Sequence, residues 1–197
     1  LVPVPHSNDG FRIALIGRLE TFHKGYDLLI DVIAKQKWKD RNLHFSIYGT
    51  GPHQLLLERM SAEQGITNLH FMGHTDSIEE VWKTHHLLLM PSRIEGQSLT
   101  LIEAMRYNRS AIVTNVGGAG ELIEEGVCGF IAEYPSASAI DSAMERAWES
   151  RLEWESFGIR AGEAIGRKHP KNAMADFIEK ITKLTAADRN TDKVILP

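Results

Sequence analysis

The chain has 197 residues, 43 % hydrophobic and 24 % charged, a composition that fits an ordinary globular domain and excludes a disordered or fibrous chain. Lys and Arg number 22 against 26 Asp and Glu, a net charge of −4, which removes the bulk electrostatics of a non-specific nucleic-acid binder, so no nucleic-acid partner is expected. The single cysteine, Cys128, rules out a disulfide scaffold and fits a reducing compartment; the densest apolar run, Leu87-Leu88-Leu89-Met90, is far too short to span a bilayer.

In chain order, Leu1-Val2-Pro3-Val4-Pro5 has neither the basic start nor the long apolar run of a signal peptide. Its two prolines hold an extended path, so residues 1–10 read as an interdomain linker in a piece of a longer protein. Phe11 to Gly17 reads as a buried strand. A helix from about Tyr26 to Trp38 follows, with Leu28, Leu29, Val32 and Ile33 on one face. Leu43 to Tyr48 alternates as a second strand. Gly49-Thr50-Gly51-Pro52 is a turn, with Pro52 expected at the first helical position before Leu55, Leu56 and Met60. Leu69 to Met72, Leu87 to Met90, Ala111 to Thr114 and Gly129 to Ala132 read as strands. Between them lie helices at about Ser77 to Lys83, Ser98 to Tyr107 and Gly120 to Glu125, and two more follow at about Ala137 to Trp148 and Glu153 to Ala164.

Six strands alternating with helices predict an α/β fold, a doubly wound, Rossmann-like parallel sheet over residues 11–168, with ligands outside the carboxyl ends of the strands. Beyond Pro170, residues 169–185 carry Ala173, Met174, Phe177, Ile178, Ile181 and Leu184 at helical spacing. That helix either packs on this domain's own sheet or crosses to a second domain. Residues 186–197 read as a tail.

The strand ends hold the candidate chemistry. Between Pro91 and Met105 a strand ends, Gly96 allows a tight backbone, and a helix starts at about Ser98. Its free N–H groups and positive dipole end suit a phosphate or sugar oxygen. Glu95 precedes that mouth and Glu103 leaves the second turn, tilted back toward it. Two carboxylates there either accept hydroxyl donors from a sugar, or are a dipole-stabilising acid and a solvated surface residue. Arg18, directly after the first strand, and Lys24, expected where the next helix begins, are either a clamp for a diphosphate or ordinary surface charge. Gly49 and Gly51 would let a ligand approach the backbone.

Gly17-Arg18 with Lys24-Gly25, Tyr48-Gly49-Thr50-Gly51-Pro52, Phe71-Met72-Gly73, Pro91-Ser92 with Glu95-Gly96, Glu103-Ala104-Met105, and Thr114-Asn115-Val116-Gly117-Gly118 with Glu121 occur in that order over roughly residues 11–148. The set resembles the C-terminal, donor-binding domain of GT-B-fold retaining glycosyltransferases, the large group 1 family, including its Glu-x7-Glu motif. The resemblance implies that Arg18 and Lys24 hold the diphosphate of a nucleotide-sugar donor and stabilise it as it leaves. It implies that Glu95 binds hydroxyls of the donor sugar and Glu103 those of the ribose. The backbone of Gly96, Gln97, Ser98 and Leu99 would face sugar and diphosphate, with Gly17 beside them, while the Gly49–Gly51 turn and Gly73-His74 would flank the base. It further implies transfer of a hexosyl group with retention, no cofactor, no required metal, and a bacterial, cytoplasmic enzyme of polysaccharide biosynthesis. The acceptor site would lie on a missing N-terminal domain, through which any contact with the inner membrane face would also be made. The 197-residue piece alone is then expected to bind nucleotide and turn nothing over.

One departure stands out. Where the family commonly has Gly-Phe-Gly after the first Glu, this chain has Gly96-Gln97-Ser98, which bears on the sugar taken; Ser98 is also placed to cap the helix. The alternative readings are a non-catalytic nucleotide-sugar-binding module or a nucleotide-sugar epimerase of the same fold. A dehydrogenase lacks its Gly-x-Gly-x-x-Gly here, and His85-His86 point apart, so neither a dinucleotide site nor a metal site is expected.

Overall fold

The computed structural model describes residues 2–5 and 10–168. β1 (Phe11–Ile16) leads through α1 (Thr21–Lys24) into α2 (Tyr26–Ile33) and α3 (Gln36–Lys39). Then come β2 (Leu43–Tyr48), α4 (Gln54–Glu63), β3 (Leu69–Gly73), α5 (Ile78–Thr84) and β4 (Leu87–Met90). They are followed by α6 (Leu99–Arg106), β5 (Ser110–Thr114), α7 (Ala119–Leu122), β6 (Gly129–Ala132), α8 (Ala137–Glu149) and α9 (Trp154–Lys168). The six strands form one parallel sheet in the order β3-β2-β1-β4-β5-β6, which is the predicted doubly wound, Rossmann-like α/β architecture. Strand order reverses between β1 and β4, so the ligand crevice of such a sheet opens beyond Ile16 and Met90.

Alternation along each strand sorts the core into two layers. Ile13, Leu15, Phe45, Ile47 and Ile112 pack with α2, α3 and α8 on one face; Leu88, Met90, Ala111 and Val113 pack with α6 and α7 on the other. α8 is bound to α3 by polar contacts as well. Asp141 accepts from the Trp38 indole N–H (2.6 Å) and from Lys35 (2.8 Å), and Glu145 accepts from Lys37 (2.8 Å) and Arg41. The chain divides into two units after Ile165, and residues 166–168 are described as the end of α9.

Three expectations need correction. The helix predicted from Tyr26 to Trp38 breaks after Ile33 and resumes at Gln36, with Lys35 extended at φ −66°, ψ 140°. An unbroken helix would continue the face of Leu29, Val32 and Ile33 onto Gln36 and Lys37, and turn Trp38 off it; the break buries Trp38 completely. Pro52 lies in a turn, and α4 begins at Gln54 with His53 at its cap. The His53 N–H donates to the Leu19 carbonyl (3.1 Å), and this tether sets the helical phase so that Leu57 is buried while Leu55 and Leu56 stay exposed. Lys24 closes the short α1; α2 starts after Gly25, which is left-handed at φ 65°.

In the predicted linker, the carbonyls of Val2 and Pro3 accept from Arg109 (3.4 and 2.9 Å). Arg109 is fully buried and also donates to the carbonyls of His85, Trp82 and Tyr107. The expected helix at 169–185 and tail at 186–197 lie outside the described residues.

Candidate functional site

The loops after β1 and β2 run side by side and prolong their ladder. The Gly17 N–H donates to the Tyr48 carbonyl (2.9 Å) and the Leu19 N–H to that of Thr50 (3.0 Å). This explains the two glycines of the turn: a Cβ on Gly49 would stand 2.0 Å from the Gly17 carbonyl oxygen, and one on Gly51 would stand 2.3 Å from that of Leu19. They are required by loop against loop, where the sequence suggested ligand against backbone. Arg18 is left exposed at the strand end.

α1 is a capped turn. The Glu20 carboxylate accepts the N–H groups of Phe22 (2.6 Å) and His23 (2.8 Å) and meets the His23 ring at 2.7 Å. Burial alone would raise its pKa, but these donors hold it down at about 2. From the other side the His53 ring nitrogen accepts the Thr21 N–H (3.1 Å).

The loop from Pro91 to Ser98 docks on this turn. The N–H groups of Arg93 and Ile94 donate to the His23 carbonyl (2.7 and 3.3 Å). The Arg93 guanidinium reaches the Thr21 carbonyl (2.7 Å) and forms a bidentate pair with Asp27 at 2.7 Å for both bonds, which raises its pKa. No reading of the sequence picked out this pair: 66 residues separate its members, and each alone resembles surface charge. Glu95 is thereby placed against Lys24, Nζ to Oε1 2.6 Å, and the same oxygen accepts from Ser92 Oγ (2.9 Å). Burial, and then the Glu95 carboxylate, raise the nearby Tyr26 hydroxyl above its ordinary range. On its far side the loop abuts residues 117–118. The Gly118 N–H donates to the Gly96 carbonyl (3.1 Å), and a Cβ on Gly117 would be 2.3 Å from the carbonyl oxygens of Glu95 and Gly96.

Arg18, Lys24, Glu95 and Gly96 thus line one cavity of about 330 Å³ together with Glu20, His23 and Ile94, a volume in the range of small-molecule sites. Gly96 faces open space. Ser98 caps α6 through Oγ, which accepts the Leu101 N–H (3.4 Å), as the sequence suggested. Ser98 is buried, Gln97 is exposed, and Leu99 is 73 % exposed; none of the three lines this cavity. Gly17 lies under Lys24, whose side chain is 3.5 Å from a Cβ built there. Glu103 lies on the exposed side of α6 and His74 pairs with Asp76 at 3.2 Å in solvent; neither lines this cavity. Among the described residues no group of three or more His, Cys, Asp or Glu side chains is arranged to hold a metal ion, and no helix is long and apolar enough to cross a membrane.

Residues 10–150 match the model of the family described as glycosyl transferases group 1. The chain is 26 % identical over 173 residues to alpha-D-kanosaminyltransferase of Streptomyces kanamyceticus, covering 86 % of this chain and 44 % of that protein. It spans less than half the length of the curated relatives it matches. Among solved structures, Anabaena Alr3699/HepE in complex with UDP and glucose aligns with a TM-score of 0.77 at 19 % identity, over 89 % of this chain and 48 % of that one. The C-terminal domain of a glycosyl transferase group 1 family protein (LpcC) from Francisella tularensis aligns with a TM-score of 0.71 at 18 % identity, over 85 % of this chain and 96 % of that one. At these identities the structural likeness is one of fold.

Proposed function

The chain belongs to the glycosyl transferases group 1 family, and from that premise we propose that residues 11–168 are the nucleotide-sugar donor-binding half of a retaining glycosyltransferase. The whole protein would transfer a hexosyl group from a nucleotide-diphosphate sugar to a glycan or lipid-linked acceptor. The observation that carries this reading is the strand-end cavity in which the Arg18 and Lys24 cations, the Glu20 and Glu95 carboxylates and an open glycine backbone converge; Glu20 is already occupied by the N–H groups of Phe22 and His23.

In this reading a donor entering the cavity offers phosphate oxygens to Lys24 and Arg18 and a sugar hydroxyl to Glu95, exchanging the Lys24–Glu95 contact for contacts with the substrate. Arg18 acts as a planar fork and Lys24 as a point charge. Their catalytic part is to stabilise the diphosphate as the glycosidic bond breaks and negative charge builds on it. This is the task a divalent ion performs in other transferases, so the transfer needs no metal or other cofactor. Retention follows if the acceptor hydroxyl attacks on the face the diphosphate leaves and gives it its proton. The backbone at Gly96, Gln97, Ser98 and Leu99 faces sugar and diphosphate, while Glu103, Gly49, Gly51 and His74 serve the ribose and base. Acceptor binding belongs to a second, N-terminal domain. Any docking of this otherwise cytoplasmic enzyme at the inner membrane face would be made through that domain.

The test is thermal stabilisation of the chain by UDP, GDP, ADP and their sugars, on wild type and Arg18→Ala. A nucleotide at about 100 times its dissociation constant adds about 2.7 kcal/mol. One nucleotide should raise the melting temperature, and Arg18→Ala should abolish the rise. No shift at millimolar nucleotide, or a shift untouched in the variant, would overturn the clamp. The 197-residue chain is expected to form no glycoside product when given donor and acceptor; product formation would show that both substrates are handled by these residues.

A further inference from the structure

The face of the sheet that carries Leu88, Met90, Ala111 and Val113 under α6 and α7 changes character at β1. On the same face β1 presents Arg12 and Ala14, β2 presents His44, Ser46 and Tyr48, and β3 presents His70. Strands of a parallel sheet ordinarily read as apolar on both sides because helices cover both. Here Arg12 and His70 are exposed and His44 half-buried, and the three strands floor a cavity of about 870 Å³ with Thr84 and His85 on its wall.

The chemistry of that floor is one-sided. The residues lining it include Arg12, His44, His70 and His85 and no carboxylate, in a chain whose net charge is −4. Arg12 donates its backbone N–H to His86, while its guanidinium has no hydrogen-bond or ion-pair partner among the described residues. His44 and His70 stack with ring centroids 6.2 Å apart. Burial above all, and then the charges of His70 and Arg12, lower the pKa of His44. His85, 3 % exposed, gives its Nδ1–H to the Val81 carbonyl (2.9 Å). Its buried Nε2 lacks any partner among the described residues.

We propose that this open face of β1, β2 and β3 is a second binding site, for the phosphate group of a phosphorylated ligand, with Arg12, His44 and His70 as its anion-facing residues. Arg12 lies five residues before Gly17 along β1, about 16 Å at 3.3 Å per residue, so this site is separate from the strand-end cavity and does not rest on the donor reading. A phosphate there supplies the missing counter-charge to Arg12 and favours protonated His44. The same group can come from a soluble phosphorylated metabolite or from an anionic lipid headgroup.

The experiment follows the ring nitrogens of His44 and His70 by NMR while inorganic pyrophosphate is added, and separately while phosphatidic acid/phosphatidylcholine vesicles are added. Sodium chloride at matched ionic strength and pure phosphatidylcholine vesicles are the controls. A saturable shift of both rings with pyrophosphate, with His44 moving toward its protonated form, assigns a soluble ligand, and one with the phosphatidic acid vesicles alone assigns a lipid. In either case Arg12→Gln should weaken binding about tenfold, the loss of one charge-assisted contact. His70→Gln, on the edge strand, serves as the second variant should Arg12→Gln fail to fold. Shifts that salt reproduces, that never saturate with either probe, or that persist unweakened in the folded variant overturn the site.

Discussion

Gly25→Ala is expected to cost about 3 kcal/mol of stability and to pull apart the two loops that form the strand-end cavity. Gly25 is left-handed at φ 65°, which an L side chain tolerates at a cost of about 1–2 kcal/mol. A Cβ there would also stand 2.0 Å from the Pro91 carbonyl oxygen, so the backbone after β4 must move away from α1. That displacement strains the bonds from Arg93 and Ile94 to the His23 carbonyl and draws Glu95 from Lys24. For a chain of this size the loss corresponds to a fall in melting temperature of about 6–12 °C. Gly65→Ala is the internal control. Gly65 has nearly the same φ, 62°, but its added Cβ would meet only the end of Lys39 at 3.9 Å. The excess of Gly25→Ala over Gly65→Ala measures the close approach alone, and it should be accompanied by loss of nucleotide-induced stabilisation. Equal melting temperatures for the two variants would show that the loops yield without cost.

Gly25 also shows where the sequence is legible and where it is not. The buried strands announce themselves, because runs such as Leu87 to Met90 leave no polar face for solvent and turn residues bound them. Ser98 at the head of α6 is a local signal, a capping side chain three residues before the N–H it accepts. By contrast, the reason for Gly25 is Pro91, the reason for Gly49 is Gly17, and the reason for Gly117 is Glu95 and Gly96. Each is a contact between loops brought together by the sheet, and none leaves a local trace beyond the glycine itself. α1 has a cap as local as that of α6, Glu20 accepting from Phe22 and His23, but its four residues are too few to show an apolar period, and His53 reaches it from the neighbouring loop. The break after Ile33 was readable in principle, since Gln36 and Lys37 occupy the positions where an unbroken apolar face would fall. In the site, Arg18, Glu95 and Gly96 could be selected because each lies in a loop after a strand, and Lys24 because it stands just before the next apolar helical face. Arg93 and Asp27, which hold Glu95's loop in place, are an ordinary cation and anion until the fold joins them.

Acid should unfold this protein partly through His86, and His86→Asn should blunt the effect. His86 is 4 % exposed beside Phe11 and Trp154. Its Nδ1 accepts the Arg12 N–H at 3.0 Å, so a proton added to that nitrogen would face another N–H. Burial above all, with the neighbouring positive charges, brings its pKa down from 6.5 to about 4. The unfolded chain therefore takes up a proton near pH 6.5 that the folded chain refuses until about pH 4. The stability tied to a neutral His86 is complete above pH 6.5 and is lost as pH falls toward 4; about 2.5 kcal/mol is gone by about pH 4.5 by linkage. Asparagine keeps an acceptor for the Arg12 N–H and cannot titrate, while it forfeits the ring contacts. His86→Asn should therefore be less stable than wild type at pH 7 yet lose about 2.5 kcal/mol less on going to about pH 4.5, as read from urea midpoints at the two pH values. Some slope should remain in the variant, because burial also lowers the pKa of His85. An unchanged difference between the two midpoints would place the acid sensitivity elsewhere in the fold.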